Sequence, residues 1–185
     1  MRIHSLLRRT TIGAAALTSC VLVAIAPAQT KSKLNGANVA AISGIVSGKV
    51  QQVGFRAMIQ KQAIEYNLAG TTENNDDDKT VRFNLQGDKN RVNQAVAAIK
   101  DGTKKSSDVK VSLTPATFDP NLKTFTVVGW NSVSRKIANR YNLIFTLRED
   151  NTTIKKKAAK QVWLEICTKA VAKTEDAGKC DKDDD

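Results

Sequence analysis

"SGKVQQVGFRAMIQ", Ser47 to Gln60, is the stretch on which the fold turns. It leaves a β-like segment, bends at Gln51–Gly54 and enters a helix that starts with Phe55 and Arg56. Such a junction leaves several N–H groups without an intrahelical acceptor, at a helix end that carries partial positive charge. An anion fits there, and Arg56 adds a two-pronged donor for phosphate oxygens. The competing reading is an ordinary strand–turn–helix with a surface arginine. Local physics leaves both open.

Working outward, "AISGIVSGKV" reads as a strand. "FRAMIQKQAIEYNLAG" is helical, with Phe55, Met58, Ile59, Ala63 and Leu68 on one face and a stop at Asn67–Gly70. "TVRFNLQG" alternates Val81, Phe83 and Leu85, as a half-buried strand does. "DKNRVNQAVAAIKDG" starts at a capping Asp88, turns Val92, Val96 and Ile99 inward and stops at Gly102. "DVKVSLTPATF" and "KTFTVVGWNSV" are further strands, joined through the turn-forming "DPNL". The order is β-α-β-β-α-β, with room for a short extra strand after the first helix. An antiparallel sheet with two helices on one face, a ferredoxin-like α+β sandwich, satisfies that order.

Residues 136–185 form a C-terminal extension. "NRYNLIFTLRED" reads as a strand, and "NTTIKKKAAKQVWLEICTKAVAKT" as an amphipathic helix. Ile154, Ala158, Val162, Ile166 and Ala170 recur every four residues, flanked by Ala159 and Trp163. Lys155, Lys156, Lys157 and Lys160 read as a solvated face, in preference to a membrane-surface or acidic-partner role. The acidic "DKDDD" tail reads as unstructured.

The first 28 residues read as a signal peptide: Arg2, Arg8 and Arg9, an apolar run, then "APA" at Ala26–Ala28. Residues 29–42 read as a linker, and the protein as exported, to the periplasm or beyond. Two variants of the signal stand beside this. "LTSC" resembles a lipobox that would anchor a lipidated Cys20, and "LRRTTIGAAAL" resembles a twin-arginine signal. Cleavage lowers the formal net charge of +11 by three and removes His4, the single histidine. That excludes Ser-His-Asp and Cys-His catalysis and histidine-ligated metal. Cys167 and Cys180 then remain, an even count that suggests one disulfide in an oxidising compartment. The chain, 41% hydrophobic and 25% charged, suits one soluble domain of residues 43–135 plus appendages.

"GKVQQVGFR" resembles the acylphosphatase signature G-x-V-Q-G-V-x-F-R, matching at Gly48, Val50, Gln51, Val53, Phe55 and Arg56. "LAGTTENNDDDKTVRFNLQG" is similar to the family's second signature through Gly70, Asn74, Val81 and Gly87. The resemblance implies a hydrolase of carboxyl-phosphate anhydrides. Gln51, Gln52, Val53, Gly54, Phe55 and Arg56 would hold the phosphate, and Asn74 would orient a water for in-line attack. A carboxylate leaves readily, so positioning and charge stabilisation suffice, without metal or cofactor. The implied partner is a small acyl phosphate or phosphate-like anion, bound by a monomer.

The chain departs from that pattern in several places. Gln52 stands where the family has glycine, at a cost of about 1 kcal/mol if the position needs positive φ. Thr71 and Thr72 replace an aromatic residue and a valine. One extra residue separates Asn74 from Val81, and Asp76–Asp78 put three like charges near the anion site, weakened by screening. These departures keep a second reading open, a weakened or inactive module that still binds anions. "NNDDD" reads as a solvated loop, since calcium ligands normally alternate. Nucleic acid is not expected: Phe83 is the lone aromatic on the central strand. Membrane contact is expected only through the signal peptide or Cys20.

Overall fold

The computed structural model describes residues 38–75 and 79–180. Residues 1–28, read as a signal peptide with His4 and Cys20, residues 29–37 of the segment read as a linker, the acids Asp76–Asp78 and the tail from residue 181 lie outside the described residues. Residues 39–42 of the segment read as a linker belong to the first strand. The elements are β1 (Val39–Lys49), α1 (Phe55–Tyr66), β2 (Ala69–Asn74), β3 (Val81–Asp88) and α2 (Lys89–Asp101). They continue with β4 (Ser107–Pro115), β5 (Thr124–Ser132), β6 (Ile137–Thr146) and α3 (Lys156–Val171).

The strands form one sheet in the order β4-β1-β3-β2-β5-β6. The first six elements are the ferredoxin-like β-α-β-β-α-β unit, and its short extra strand is β2, the antiparallel partner of β3. The antiparallel expectation holds across β4, β1, β3 and β2 and again between β5 and β6. It does not hold at one junction. β5 lies parallel to β2, with Gly70 opposite Phe125 and Thr72 opposite Val127, so the sheet is mixed. The cause is the path of residues 116–123, which run along one end of the sheet from the β4 edge to the far side. Four strand spacings are about 19 Å, within reach of eight extended residues. Ala116 N–H donates to Ala41 O (2.9 Å), and Gln86 clasps Asp119 by donating to its carbonyl (2.6 Å) and accepting from its amide (2.9 Å).

The alternation of β3 is as expected, with Val81, Phe83 and Leu85 all buried. In α2 the Asp88 carboxylate accepts from Asn90 N–H (3.0 Å) and Arg91 N–H (3.2 Å), and Val92, Ala95, Val96 and Ile99 face the core. α1 is buried more widely than one face. Ala57, Gln60, Gln62 and Ile64 join Phe55, Ile59 and Ala63, while Met58 is half-buried. The reason is that α2 packs on one flank and α3 on the other. Buried Gln60 donates to Leu143 O on β6 (2.7 Å), tying the helix layer to the added strand.

α3 corrects one expectation. Its buried stripe is Ala159, Trp163, Cys167 and Val171, one residue on from the expected set, and Ala158 is exposed. Two anchors set that rotation. Trp163 meets Trp130 of β5 edge-on, with ring centroids 6.0 Å apart, and Cys167 is disulfide-bonded to Cys180 with Cα atoms 5.9 Å apart. The segment returning to Cys180 is held by Asp176, which accepts from Tyr141 Oη (2.6 Å) and Asn139 Nδ2 (3.1 Å) on β6.

Candidate active site

β1 leaves the sheet through Gly48, whose φ is 111° and whose added Cβ would collide with the Asp108 carbonyl on β4. The turn beyond it alternates in backbone hand. Gln52 has φ 60° and Gly54 φ 75°, with Val53 between them outside the positive region. Alternation of that kind makes a concave nest of successive N–H groups. Val53 and Phe55 bury their side chains and pin the turn to the core, while Gln52 and Gly54 are exposed.

The first α1 bond is Met58 N–H to Gly54 O (3.0 Å), and no side chain caps the helix. Among the described residues, the N–H groups of Gln52 to Arg56 therefore have no protein acceptor. Gln52 occupies the left-handed region, so the condition under which its replacement of glycine is costly is met. All six residues read as phosphate-binding, Gln51 to Arg56, line one cleft of about 1130 Å³, and Asn74 lines it with them.

Arg56 is held from β5. Its Nη1 donates to Val128 O (3.1 Å) and Gly129 O (2.9 Å), and its Nη2 to Asn131 Oδ1 (3.0 Å). β5 bulges here: Val127 faces Leu143 and Trp130 faces Tyr141, which leaves one extra residue on β5. Gly129 takes φ 59° at that point, and Asn142 Oδ1 accepts its N–H (3.0 Å). The bulge turns two carbonyls onto the guanidinium, the re-aiming that bulges beside functional sites provide. No carboxylate among the described residues pairs with Arg56. Burial first, and neighbouring Arg140 second, push its pKa down to about 10, so it is still a cation at neutral pH. The negative charge of an anion in the cleft would offset both effects.

Asn74 ends β2, two residues beyond Thr72, which pairs with Val127. Arg56 grips the next two residues of β5, so Asn74 and Arg56 meet at the same end of adjacent strands. Asn74 Nδ2 donates to Gln51 Oε1 (3.0 Å), while Gln51 Nε2 donates to Thr80 O (2.8 Å) and Asn75 O (3.3 Å). The Gln51 side chain is thus occupied in fixing the Asn74 carboxamide, and what it offers a ligand is its main-chain amide. Asn74 keeps Oδ1 as an acceptor. Thr71 and Thr72 serve the sheet instead: Thr72 Oγ1 donates to Arg82 O (3.1 Å), and Thr71 Oγ1 accepts from Asn84 (3.1 Å).

The cleft also contains residues that sequence reasoning missed. Arg140 on β6 and Lys156, Lys157 and Trp163 of α3 line it. The lysines had read as a solvated face, and nothing local to α3 indicates which way that face looks. A signal for the β5 anchors was present, since the glycine inside "VVGWN" is the mark of a bulge.

A family model described as acylphosphatase matches residues 42–127. The acylphosphatase of Chlorobaculum tepidum is 34% identical over 84 residues, covering 45% of this chain and 90% of that protein. The chain belongs to the acylphosphatase family. The acylphosphatase of Bacillus subtilis is 39% identical over 70 residues, 38% of this chain and 76% of that protein. The crystal structure of acylphosphatase from Bacillus subtilis aligns at 32% identity over 49% of this chain and 98% of that one, with a TM-score of 0.42. At family level, then, the function is that of a phosphohydrolase. The family match ends at residue 127, so the β5 anchors of Arg56, β6 and α3 all lie beyond it.

Proposed function

We propose that this protein is a metal-independent hydrolase of carboxyl-phosphate anhydrides, acting after export to the periplasm or the exterior as a monomer. The observation that carries the reading is the cleft's donor set: open amides from Gln52 to Arg56, with a guanidinium that no carboxylate neutralises. The phosphoryl oxygens take those donors. Asn74 Oδ1 accepts a hydrogen bond from a water, aiming its oxygen at phosphorus opposite the acyl oxygen. As the new P–O bond forms, the bond to the acyl oxygen breaks. The carboxylate leaves with that electron pair, and both water protons end on the inorganic phosphate. A carboxylate needs no proton to depart, so a cleft without histidine is sufficient. The export half of the reading is supported by the charged and apolar run of residues 1–28 and by the Cys167–Cys180 disulfide, a bond typical of oxidising compartments.

The test is phosphate release from benzoyl phosphate in the presence of a chelator. Arg56→Ala lowers kcat/KM by about 10³-fold, the scale of losing a preorganised donor. Asn74→Ala lowers kcat by about 10²-fold with little change in KM, because it aims water and does not grip phosphate. Full turnover in Arg56→Ala would refute the assignment. A second reading, a weakened module that binds anions, is favoured by one observation: Gln52 sits at φ 60° inside the cradle. Phosphate-induced thermal stabilisation without turnover in either wild type or Gln52→Gly selects it.

A further inference from the structure

The cleft is larger and more basic than a phosphoryl group requires. Its volume of about 1130 Å³ is that of a site for a sizeable ligand. Nine lysines and arginines line it against two acids, and one of those, Glu73, is already bonded to Arg82 (2.7 Å). The field inside it is therefore strongly positive.

Four of the nine come from the extension: Arg140, Lys156, Lys157 and Lys160. Arg140 of β6 lies over the bulge that holds Arg56: its Cδ is 3.8 Å from where a Cβ on Gly129 would sit, and the Gly129 carbonyl accepts from Arg56. Lys156 and Lys157 occupy the first turn of α3, which has no acidic residue and no side-chain cap. Cations at the positive end of a helix oppose its dipole, so helix stability does not explain them. Local choices that work against the fold are expected where a ligand is served. Trp163 forms part of the wall. Its ring carries Lys61 Nζ at 5.1 Å and the Arg135 guanidinium at 5.5 Å, and its buried indole N–H has no acceptor among the described residues.

We propose that β6 and α3 build a second anion subsite beside the phosphate cradle, fitting the cleft to acyl phosphates whose acyl group carries its own carboxylate or phosphate. Arg140, Lys156 and Lys157 are its specificity-determining residues. The inference rests on the phosphate-cradle reading of the same cleft. It differs in that its cations lie outside the residues the family model matches.

Calorimetric titration with ethylphosphonate and 3-phosphonopropionate, which differ by one carboxylate, tests it. The second probe binds about tenfold more tightly at low salt, a difference of about 1.4 kcal/mol. The ratio shrinks as salt is raised. It falls to about two or less in Arg140→Gln/Lys156→Gln/Lys157→Gln, three exposed positions where substitution spares the core. Lys169→Gln, on α3 but away from the cleft, keeps the wild-type ratio. Equal affinity of the two probes in wild type overturns the subsite, as does a ratio that survives the triple substitution. Benzoyl phosphate turnover, measured alongside, separates the two claims. Turnover without the ratio leaves the hydrolase and removes the subsite. The ratio without turnover does the reverse, and binding of neither probe together with no turnover removes both.

Discussion

α1 and α2 follow strands, pack on the same face of the sheet and begin within the family match, yet their N-termini are opposites. α2 is closed. Asp88 accepts from Asn90 and Arg91, so two of the orphan donors there are satisfied by the chain itself. α1 is open. Its N-cap is Gly54 in the left-handed region, no side chain caps it, and its second residue is Arg56, which the β5 bulge holds in the cleft. Helix ends of both kinds carry the same partial charge. What makes one a structural joint and the other a site is whether the cap residue consumes the donors.

That contrast can be broken by giving α1 the cap of α2. Gly54→Asp puts a carboxylate against the open amides and beside Arg56, where it competes with phosphate. Its added Cβ meets no neighbour within 4 Å, and Gly54→Asn, which bears the same left-handed strain at φ 75° without the charge, separates the effect of the carboxylate from that of the backbone. Inorganic phosphate affinity falls by about 10²-fold, read by calorimetry, the scale of about 2.7 kcal/mol. Affinity within threefold of wild type would show that the amides are not the cradle.

The converse change is smaller and of a different kind. Asp88→Ala removes a cap that serves only the fold, lowering stability by about 1 kcal/mol in urea unfolding while benzoyl phosphate turnover holds. A comparable loss of turnover would mean that the two ends are coupled. The smallest effect is at Gln52. Gln52→Gly relieves a left-handed glutamine at an exposed position and raises stability by up to about 1 kcal/mol, with turnover rising rather than falling. Lower stability in that variant would contradict the backbone reading of the turn.

Much of this contrast was legible in the sequence. The alternation of Val81, Phe83 and Leu85, the cap at Asp88 and the stop at Gly102 each follow from a local rule of period or capping, and local rules survive folding. The turn at residues 51–56 was legible for the same reason, reinforced by the signature that spans it. What escaped depends on partners distant in sequence. The parallel pairing of β2 with β5 is decided by the route of residues 116–123, which no periodicity encodes. The α3 stripe was misplaced by one residue because its rotation is set by Trp130 and Cys180 rather than by its own hydrophobic spacing. Gln51 was correctly placed in the turn, but its grip on Asn74 and Thr80 could not be read from a motif that names residues and not the directions they take. The basic wall of β6 and α3 was missed on the same ground, since Lys156 and Lys157 face the cleft only through the packing of α3 on α1.

The open end of α1 is most directly tested by following backbone amide resonances during titration with inorganic phosphate. The N–H groups of Gln52, Val53, Gly54, Phe55 and Arg56 should shift together along one binding curve, with Asn90 and Arg91 unmoved. Shifts confined to the α3 lysine segment, or spread equally over both helix ends, would contradict it.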